Sequence, residues 1–278
     1  GSKVMTGLGN AERWFNLTDK AGVSLKEAAT LNGAQLAEIA LARRQPQELK
    51  AFLELHIEQG RVLEETENRV GIVTAIAAPT RWHITIQGRA DHSGATPMAL
   101  RRDALAAAAE LILAVERHGW TESPYQSVAT VGMLRLEPGA MNVIPGRVDL
   151  GLDVRGIDAD SIQRVVNGIS HDLKDIGRRR KVQATVQELA SDKPVLLDET
   201  MISTMEEVCE ELDVPYMLMP SGAGHDAMNM ATLTPTGLIF IPCKEGISHN
   251  PREEATIDDI ALGAEVLLHT LLKLAHKS

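Results

Sequence analysis

Leu53-Glu54-Leu55-His56-Ile57-Glu58 alternates apolar and polar residues without a break, and a period of two is that of a β-strand with one face turned to a core. Leu53, Leu55 and Ile57 take the core face, leaving Glu54, His56 and Glu58 on a face available for chemistry. Upstream the spacing changes. From Ser24 to about Ala51, Leu36, Ile39 and Ala40 recur at helical intervals while Glu38, Arg43 and Arg44 take other faces, which predicts a helix. Downstream, a short helix is expected after Gly60, and Gly71 to Ala78 reads as a second strand ending before Pro79.

A different grammar begins after Pro79. Trp82-His83-Ile84-Thr85-Ile86-Gln87 reads as a strand, and Ala99 to His118 as a helix rich in alanine and leucine with Gly119 at its exit. Two strands follow, Ser127 to Leu134 and Val148 to Arg155, then a helix from Ile162 to Ile176 and a strand from Lys181 to Glu188. Strand, helix, strand, strand, helix, strand is the order of a split βαβ sandwich with its helices on one face. Beyond Pro194 the outer pattern returns: Glu199 to Leu212 helical, Pro215 to Met219 extended, Gly237 to Pro242 an apolar strand, and Ile257 to Lys273 helical behind a capping-box-like Thr256 and Asp259. The expected organisation is an α/β domain made of residues 1–80 and 191–278, interrupted by an inserted α+β domain at 81–190.

Composition narrows the function classes. The 278 residues are 44% apolar, with 28 Lys+Arg against 38 Asp+Glu for a net charge of −10. That acidic balance, with 3 Trp, 2 Tyr and 3 Phe, opposes an electrostatic nucleic-acid footprint. Arg178-Arg179-Arg180-Lys181 is the one basic run and reads as a solvated helix end rather than a binding patch. No apolar run has the roughly 18 residues of a membrane span. Cys209 and Cys243 stand alone, as reduced residues of a cytoplasmic protein do.

The candidates for chemistry are histidines in polar, glycine-rich settings. None of the nine forms HExxH. His56 lies on the acidic strand face; His92, His225 and His249 fall in predicted loops, where scaffolds present functional groups. Each also reads as a solvated or hydrogen-bonded loop residue. Asp91 beside His92 and Asp226 beside His225 can orient those rings only if the backbone turns there. Arg155 ends a strand on its polar face, where a guanidinium either grips a carboxylate in bidentate fashion or pairs with Asp153 or Asp149. Asn142 reads as a turn residue or as a donor to a substrate carbonyl.

Six strings occur in order: Glu54-Leu55-His56-Ile57-Glu58-Gln59-Gly60, Gly88-Arg89-Ala90-Asp91-His92-Ser93-Gly94-Ala95-Thr96-Pro97-Met98, Asn142-Val143-Ile144-Pro145-Gly146, Asp153-Val154-Arg155-Gly156, Ser221-Gly222-Ala223-Gly224-His225-Asp226-Ala227 and Gly246-Ile247-Ser248-His249-Asn250-Pro251. Together they resemble the N-carbamoyl-L-amino-acid hydrolase and allantoate amidohydrolase family, relatives of β-ureidopropionase among the zinc-dependent aminoacylase-like metallopeptidases. The resemblance implies a zinc-peptidase-like catalytic α/β domain that binds two divalent metals, Zn, Mn or Co. It further implies a ferredoxin-like lid at 81–190 that also makes a homodimer interface.

Carried over residue by residue, His56 would ligate one metal and His249 the other. Gln59, Asn142, Arg155 and His225 would line a small ureido substrate. His92 would serve the active site of the partner subunit, polarising the scissile carbonyl with help from Asn142, and Arg155 would hold the substrate carboxylate. The implied reaction is hydrolysis of the ureido C–N bond of an N-carbamoyl-L-amino acid, releasing carbon dioxide and ammonia, the metals lowering the pKa of the attacking water. Allantoate is the alternative substrate.

The family pattern also includes an N-terminal part with a histidine, a bridging aspartate and a consecutive glutamate pair, none of which is found upstream of His56. The opening Gly1-Ser2-Lys3-Val4-Met5 resembles the stretch after that pair. The expectation is a C-terminal portion with an incomplete metal site, inactive alone. A non-catalytic dimerisation or ligand-binding fragment is the other class of reading.

Overall fold

The computed structural model of the chain describes residues 1–8 and 11–276. In chain order its helices are α1 (Ser2–Met5), α2 (Ala11–Phe15), α3 (Leu25–Leu31), α4 (Val62–Glu65), α5 (Ala104–Glu122), α6 (Ala159–Arg180), α7 (Glu199–Glu211), α8 (Asp226–Met230) and α9 (Ile257–His276). Its strands are β1 (Phe52–Ile57), β2 (Val70–Ile76), β3 (Ala78–Gln87), β4 (Asp91–His92), β5 (Val128–Glu137), β6 (Val143–Ile144), β7 (Arg147–Gly156), β8 (Gln183–Ser191), β9 (Val195–Leu196), β10 (Tyr216–Ser221) and β11 (Thr236–Ile241). The chain divides into two units, Gly1–Ile76 with Leu196–Ser278, and Ala77–Val195.

The first unit is built on a sheet ordered β1-β11-β2-β10. β1 runs parallel to β11 and β10 parallel to β2, while β11 and β2 are antiparallel. All six residues of β11 are buried, because helices and loops cover both faces of the strand. On one face Ile72 and Ile239 pack with Met205, Val208 and Cys209 of α7 and Val266 of α9. On the other, Val73, Leu238 and Phe240 pack with Leu63 of α4 and Ala227 of α8. β1 obeys its alternation: Leu53 and Leu55 join the first layer and Phe52 the second, so Glu54 and His56 point with Phe52 toward the α8 side.

The helix expected from Ser24 to about Ala51 is shorter. A capping box starts α3, with Glu27 N–H donating to Ser24 Oγ at 3.1 Å and Ser24 N–H to Glu27 Oε2 at 2.9 Å. It ends at Asn32 because Gly33 turns the backbone to φ +83. Leu36–Ala42 and Pro46–Glu48 follow as separate 3-10 turns, a geometry that also brings residues three apart onto one side.

In the second unit an antiparallel sheet ordered β5-β7-β3-β8 carries α5 and α6 on one face. β7 alternates strictly: Val148, Leu150, Leu152 and Val154 are at most 2% exposed beneath the helices, and Asp149, Asp153 and Arg155 share the opposite face. Each such aliphatic side chain, fully buried, contributes roughly 1.5–3 kcal/mol.

Two boundaries differ from expectation. α5 begins at Ala104 rather than Ala99, because Pro97 and a 3-10 turn at Met98–Leu100 precede it and the Asp103 carboxylate accepts from the Leu105 and Ala106 amides, both at 3.0 Å. The same helix passes through Gly119 instead of ending there. Gly119 is where α5 lies against β5, since a Cβ at that position would stand 3.2 Å from the Ala129 nitrogen. The basic run closes α6 and is tied down: Arg178 and Arg179 pair with Asp175, and Arg179 and Arg180 with Glu110 of α5. Both cysteines are free and buried. Among the described residues no helix is long and apolar enough to cross a membrane.

Candidate active site

His56 stands near the C-terminal end of β1, opposite Phe240 of β11. Its Nδ1 lies 2.8 Å from the Ile57 carbonyl oxygen. A carbonyl can only accept, so Nδ1 carries the proton and Nε2 is the bare nitrogen.

Behind His56 lies His225, with ring centroids 4.7 Å apart and planes at 74°, and Phe240 closes on His225 at 5.3 Å. His225 is the N-cap residue of α8, and its side chain is 1% exposed. Its Nε2 is 2.8 Å from Ser221 Oγ, whose own proton goes to the Ala223 carbonyl at 3.0 Å. Nε2 of His225 therefore donates, leaving Nδ1 unprotonated and 4.0 Å from Glu54 Oε1. Burial, with the nearby His56 adding to it, pushes the His225 imidazole down to about 4, so the ring is neutral at pH 7.

Glu54 completes the cluster by accepting from the Ala227 amide at 2.7 Å. Burial holds its carboxyl above the usual range; that amide opposes the shift and the Asp226 charge adds to it. Asp226 does not orient His225. It accepts from Ser2 Oγ at 2.5 Å, and Ser2 in turn accepts from Asn229 Nδ2 at 2.9 Å, which ties α1 to α8. The expectation that Glu58 shares a face free for chemistry is also corrected. Glu58 is buried and accepts from the Val62 and Leu63 amides, both at 2.8 Å, so it caps α4.

Gln59, at φ 61, begins the loop after β1 and donates from Nε2 to Ser248 Oγ at 2.8 Å. This bond joins it to the loop that presents His249, an exposed residue at φ 55. Glu253 accepts from the His249 amide at 2.9 Å. That amide and the Ser248 hydroxyl hold the Glu253 carboxyl below the usual range, and the His249 and His56 rings add to the pull. The fold thus brings His56, His225, Gln59 and His249 to one end of the first unit's sheet.

The donor chemistry fits a divalent cation in part. His56 offers a bare Nε2 while its Nδ1–H is tied to a carbonyl, the arrangement in which a metal-bound imidazole is held. The Ser248–Glu253 loop adds an imidazole and a carboxylate. Among the described residues no group of three or more His, Cys, Asp or Glu is gathered to hold a metal ion, whereas a catalytic zinc takes about three protein ligands.

His92, Asn142 and Arg155 belong to the second unit. β4 pairs with β6, placing His92 opposite Val143, and the Ser93 amide donates to the Asn142 carbonyl at 3.0 Å. Both His92 and Asn142 are exposed. His92 Nδ1 accepts from the Gly94 amide at 3.0 Å and the Ala95 amide at 3.2 Å, so the proton sits on Nε2. Asp91, instead of orienting that ring, pairs with Arg89 at 2.6 Å. Arg155 grips Asp153 through Nε at 3.0 Å and Nη2 at 3.1 Å, and Asp153 also takes Arg81 at 3.1 Å.

Of the residues around this cluster, the sequence points to Glu54 and Asp226 but not to Ser2. Glu54 carried a signal, since it shares the alternation with His56; Ser2 carried none, because its partner lies 224 residues away.

Comparison with known proteins adds to this geometry. The family described as "Peptidase family M20/M25/M40" matches residues 22–273. An uncharacterized hydrolase of Haemophilus influenzae is 44% identical over 99% of this chain and 67% of its own length. The N-carbamoyl-L-amino acid amidohydrolase of Geobacillus stearothermophilus is 42% identical over 99% of this chain and 66% of its own. A crystal structure of an amidase of the hydantoinase/carbamoylase family from Burkholderia multivorans, 34% identical, superposes with a TM-score of 0.88 over 99% of this chain and 66% of that one. The chain spans about two thirds of the length of these relatives.

Proposed function

Because the chain belongs to peptidase family M20/M25/M40, we propose that it takes part in hydrolysing a non-peptide C–N bond, the ureido bond of an N-carbamoyl-L-amino acid. In this reading His56 and His249 are donors to divalent metal, Zn, Mn or Co, of which the complete site would take two. The metal would supply the acidity that makes water nucleophilic near neutral pH. The rest falls to the chain's own side chains. His225, neutral and buried, fixes the position of the His56 ring, and Glu54 sets the start of α8. Gln59 holds the His249 loop through Ser248.

His92, its Nδ1 committed to two amides, offers Nε2–H as a neutral donor to the scissile carbonyl, in the second copy of a homodimer, and Asn142 assists. Arg155 exchanges Asp153 for the substrate carboxylate. The Ala77–Val195 unit is proposed as a ferredoxin-like lid that also joins two copies. Exposed Leu113, Trp120 and Val128 support this, with a cavity of about 210 Å³ lined by Gly119, Trp120 and Val128. The observation that carries the functional reading is the His56 ring beside a buried neutral histidine, its Nδ1 anchored on the Ile57 carbonyl and its Nε2 left bare.

Titration calorimetry with Zn²⁺, Mn²⁺ and N-carbamoyl-L-methionine tests it. The chain is expected to bind metal with affinity reduced at least tenfold in His56→Ala, and to bind the carbamoyl amino acid at least tenfold better than allantoate. The Arg155→Ala variant is expected to lose most of that substrate affinity. Equal metal binding by His56→Ala and the parent would overturn the ligand assignment, and tighter binding of allantoate would move the substrate to the alternative. Trp120→Glu is expected to convert a dimer to a monomer in sedimentation.

A further inference from the structure

The segment that carries His92 is held by a cation, Arg101, which among the described residues pairs with no carboxylate. Arg101 is half-buried, and its guanidinium donates from Nη2 to the Ser93 carbonyl at 2.6 Å and from Nε to the Thr96 carbonyl at 3.1 Å. Those two oxygens bracket Gly94 and Ala95, the residues whose amides reach His92 Nδ1. The loop closes on itself through the Thr96 amide, which donates to the His92 carbonyl at 3.1 Å, and is tied through the Ser93 amide to the carbonyl of Asn142, just before β6.

One peptide plane links the cation to the ring. The Ser93 carbonyl that accepts from Arg101 and the Gly94 N–H that donates to His92 Nδ1 belong to the same amide. A charge-assisted hydrogen bond at the oxygen end of an amide polarises its N–H and strengthens the bond that N–H donates. The second carbonyl, Thr96, precedes Pro97, so its peptide has no N–H to compete for the ring and serves as an anchor. Gly94 lies directly against the ring it serves: the nearest atom a Cβ there would meet, apart from its chain neighbours, is in the His92 ring at 3.4 Å.

We infer that Arg101 is a positioning residue that sets the tautomer of His92, relaying its charge through the Ser93–Gly94 peptide so that Nδ1 stays an acceptor and Nε2 carries the only ring proton. The consequence deepens the proposed function and rests on it: His92 is delivered as a neutral Nε2–H donor, the form that polarises a substrate carbonyl without adding a charge to the site. Lysine substitutes for this role only in part, since an ammonium is a point charge and the clamp reads two carbonyls in fork geometry.

The test is a long-range ¹H–¹⁵N correlation spectrum of the imidazoles in the labelled chain at alkaline pH, with the His92 signals identified by their loss in His92→Gln. The parent is expected to show Nδ1 as the unprotonated and Nε2 as the protonated nitrogen. In Arg101→Met the two shifts move toward each other as the second tautomer rises to at least about a quarter of the population, and Arg101→Lys falls between. Backbone amide shifts of α5 in the same spectra register whether each variant is folded, and Arg101→Lys carries the test if the methionine variant is not. Unchanged His92 nitrogen shifts in a folded variant overturn the inference. Affinity for the carbamoyl amino acid, measured alongside, separates the two claims. If the tautomer mixes and affinity is unaltered, Arg101 acts as inferred and the role given to His92 in substrate recognition fails. If the tautomer mixes and affinity drops at least fivefold, both stand.

Discussion

Two polar regions of this chain treat their charges in opposite ways. Around His225, burial meets no full counter-charge, so Glu54 is pushed above its usual range and His225 down to about 4; both drift toward neutrality. On the open face of the second unit's sheet, Asp149 is clasped by Arg147 at 2.8 Å and by the Thr85 hydroxyl at 2.6 Å, which hold its carboxyl down at about 2. Asp153 on the same face, shared by Arg155 and Arg81, also titrates below the usual range although burial opposes this. The first environment stores unused hydrogen-bonding capacity around His56. The second spends its charge within the sheet, as a scaffold does.

The sharpest way to break this contrast is to remove the wall of the first region. Phe240 is 1% exposed and touches both histidine rings, so Phe240→Ala is expected to cost about 3–5 kcal/mol in urea denaturation. Asp153→Ala, on the open face, is expected to cost less than about 1 kcal/mol by the same measurement, because its ion pairs remain partly solvated. A result near equality would mean that the two regions are not energetically distinct.

Isosteric amides give a smaller and more selective comparison. Glu54→Gln keeps an acceptor for the Ala227 amide and relieves the cost of burying a charge, so its melting temperature is expected to stay within about 2 °C of the parent or to rise. Asp149→Asn loses a charge held by an arginine and is expected to melt lower near pH 6. The pH dependence has a definite sign. A carboxyl whose folded pKa is depressed stabilises above its unfolded pKa and loses that contribution as the pH falls through the folded one. The melting gap between parent and Asp149→Asn is therefore expected to close between about pH 4 and pH 2; a gap that persists below this range refutes the pairing.

The smallest effect expected is no reaction at all. Cys209 is on the buried face of α7 at 0% exposure, and burial, reinforced by Glu206 and Glu210, pushes its thiol up to about 12. A thiol reagent at pH 8 is expected to label it at less than about a tenth of the rate seen in urea.

Much of the architecture was legible where one local pattern sufficed. The alternation at 53–58 located β1 within a residue, and Val148–Arg155 fell inside β7. Legibility failed at boundaries set by caps: Gly33 cut α3 short, and Asp103 moved the start of α5. At the candidate site, the strings located His56, Gln59, His225 and His249, which the structure gathers at one end of the sheet. They did not say that Glu58 would cap a helix or that Asp226 would turn to Ser2. Arg155 was left open between a substrate clamp and an ion pair, and the structure shows it on Asp153.

From the sequence alone came the periods of two and of three to four residues, hence which side chains share a face, together with the six strings that mark the family. Backbone geometry imposes those periods over a few residues, and so they can be read locally. Only the tertiary structure decided which nitrogen of His56, His92 and His225 is bare, that His225 is buried, and that Glu54 meets the amide of Ala227. A proton's position on an imidazole follows the nearest donor or acceptor, and here those partners are the Ile57 carbonyl, the Gly94 and Ala95 amides and Ser221 Oγ, each brought to its ring by the way the backbone turns. Packing brings such groups together, and no local repeat records them.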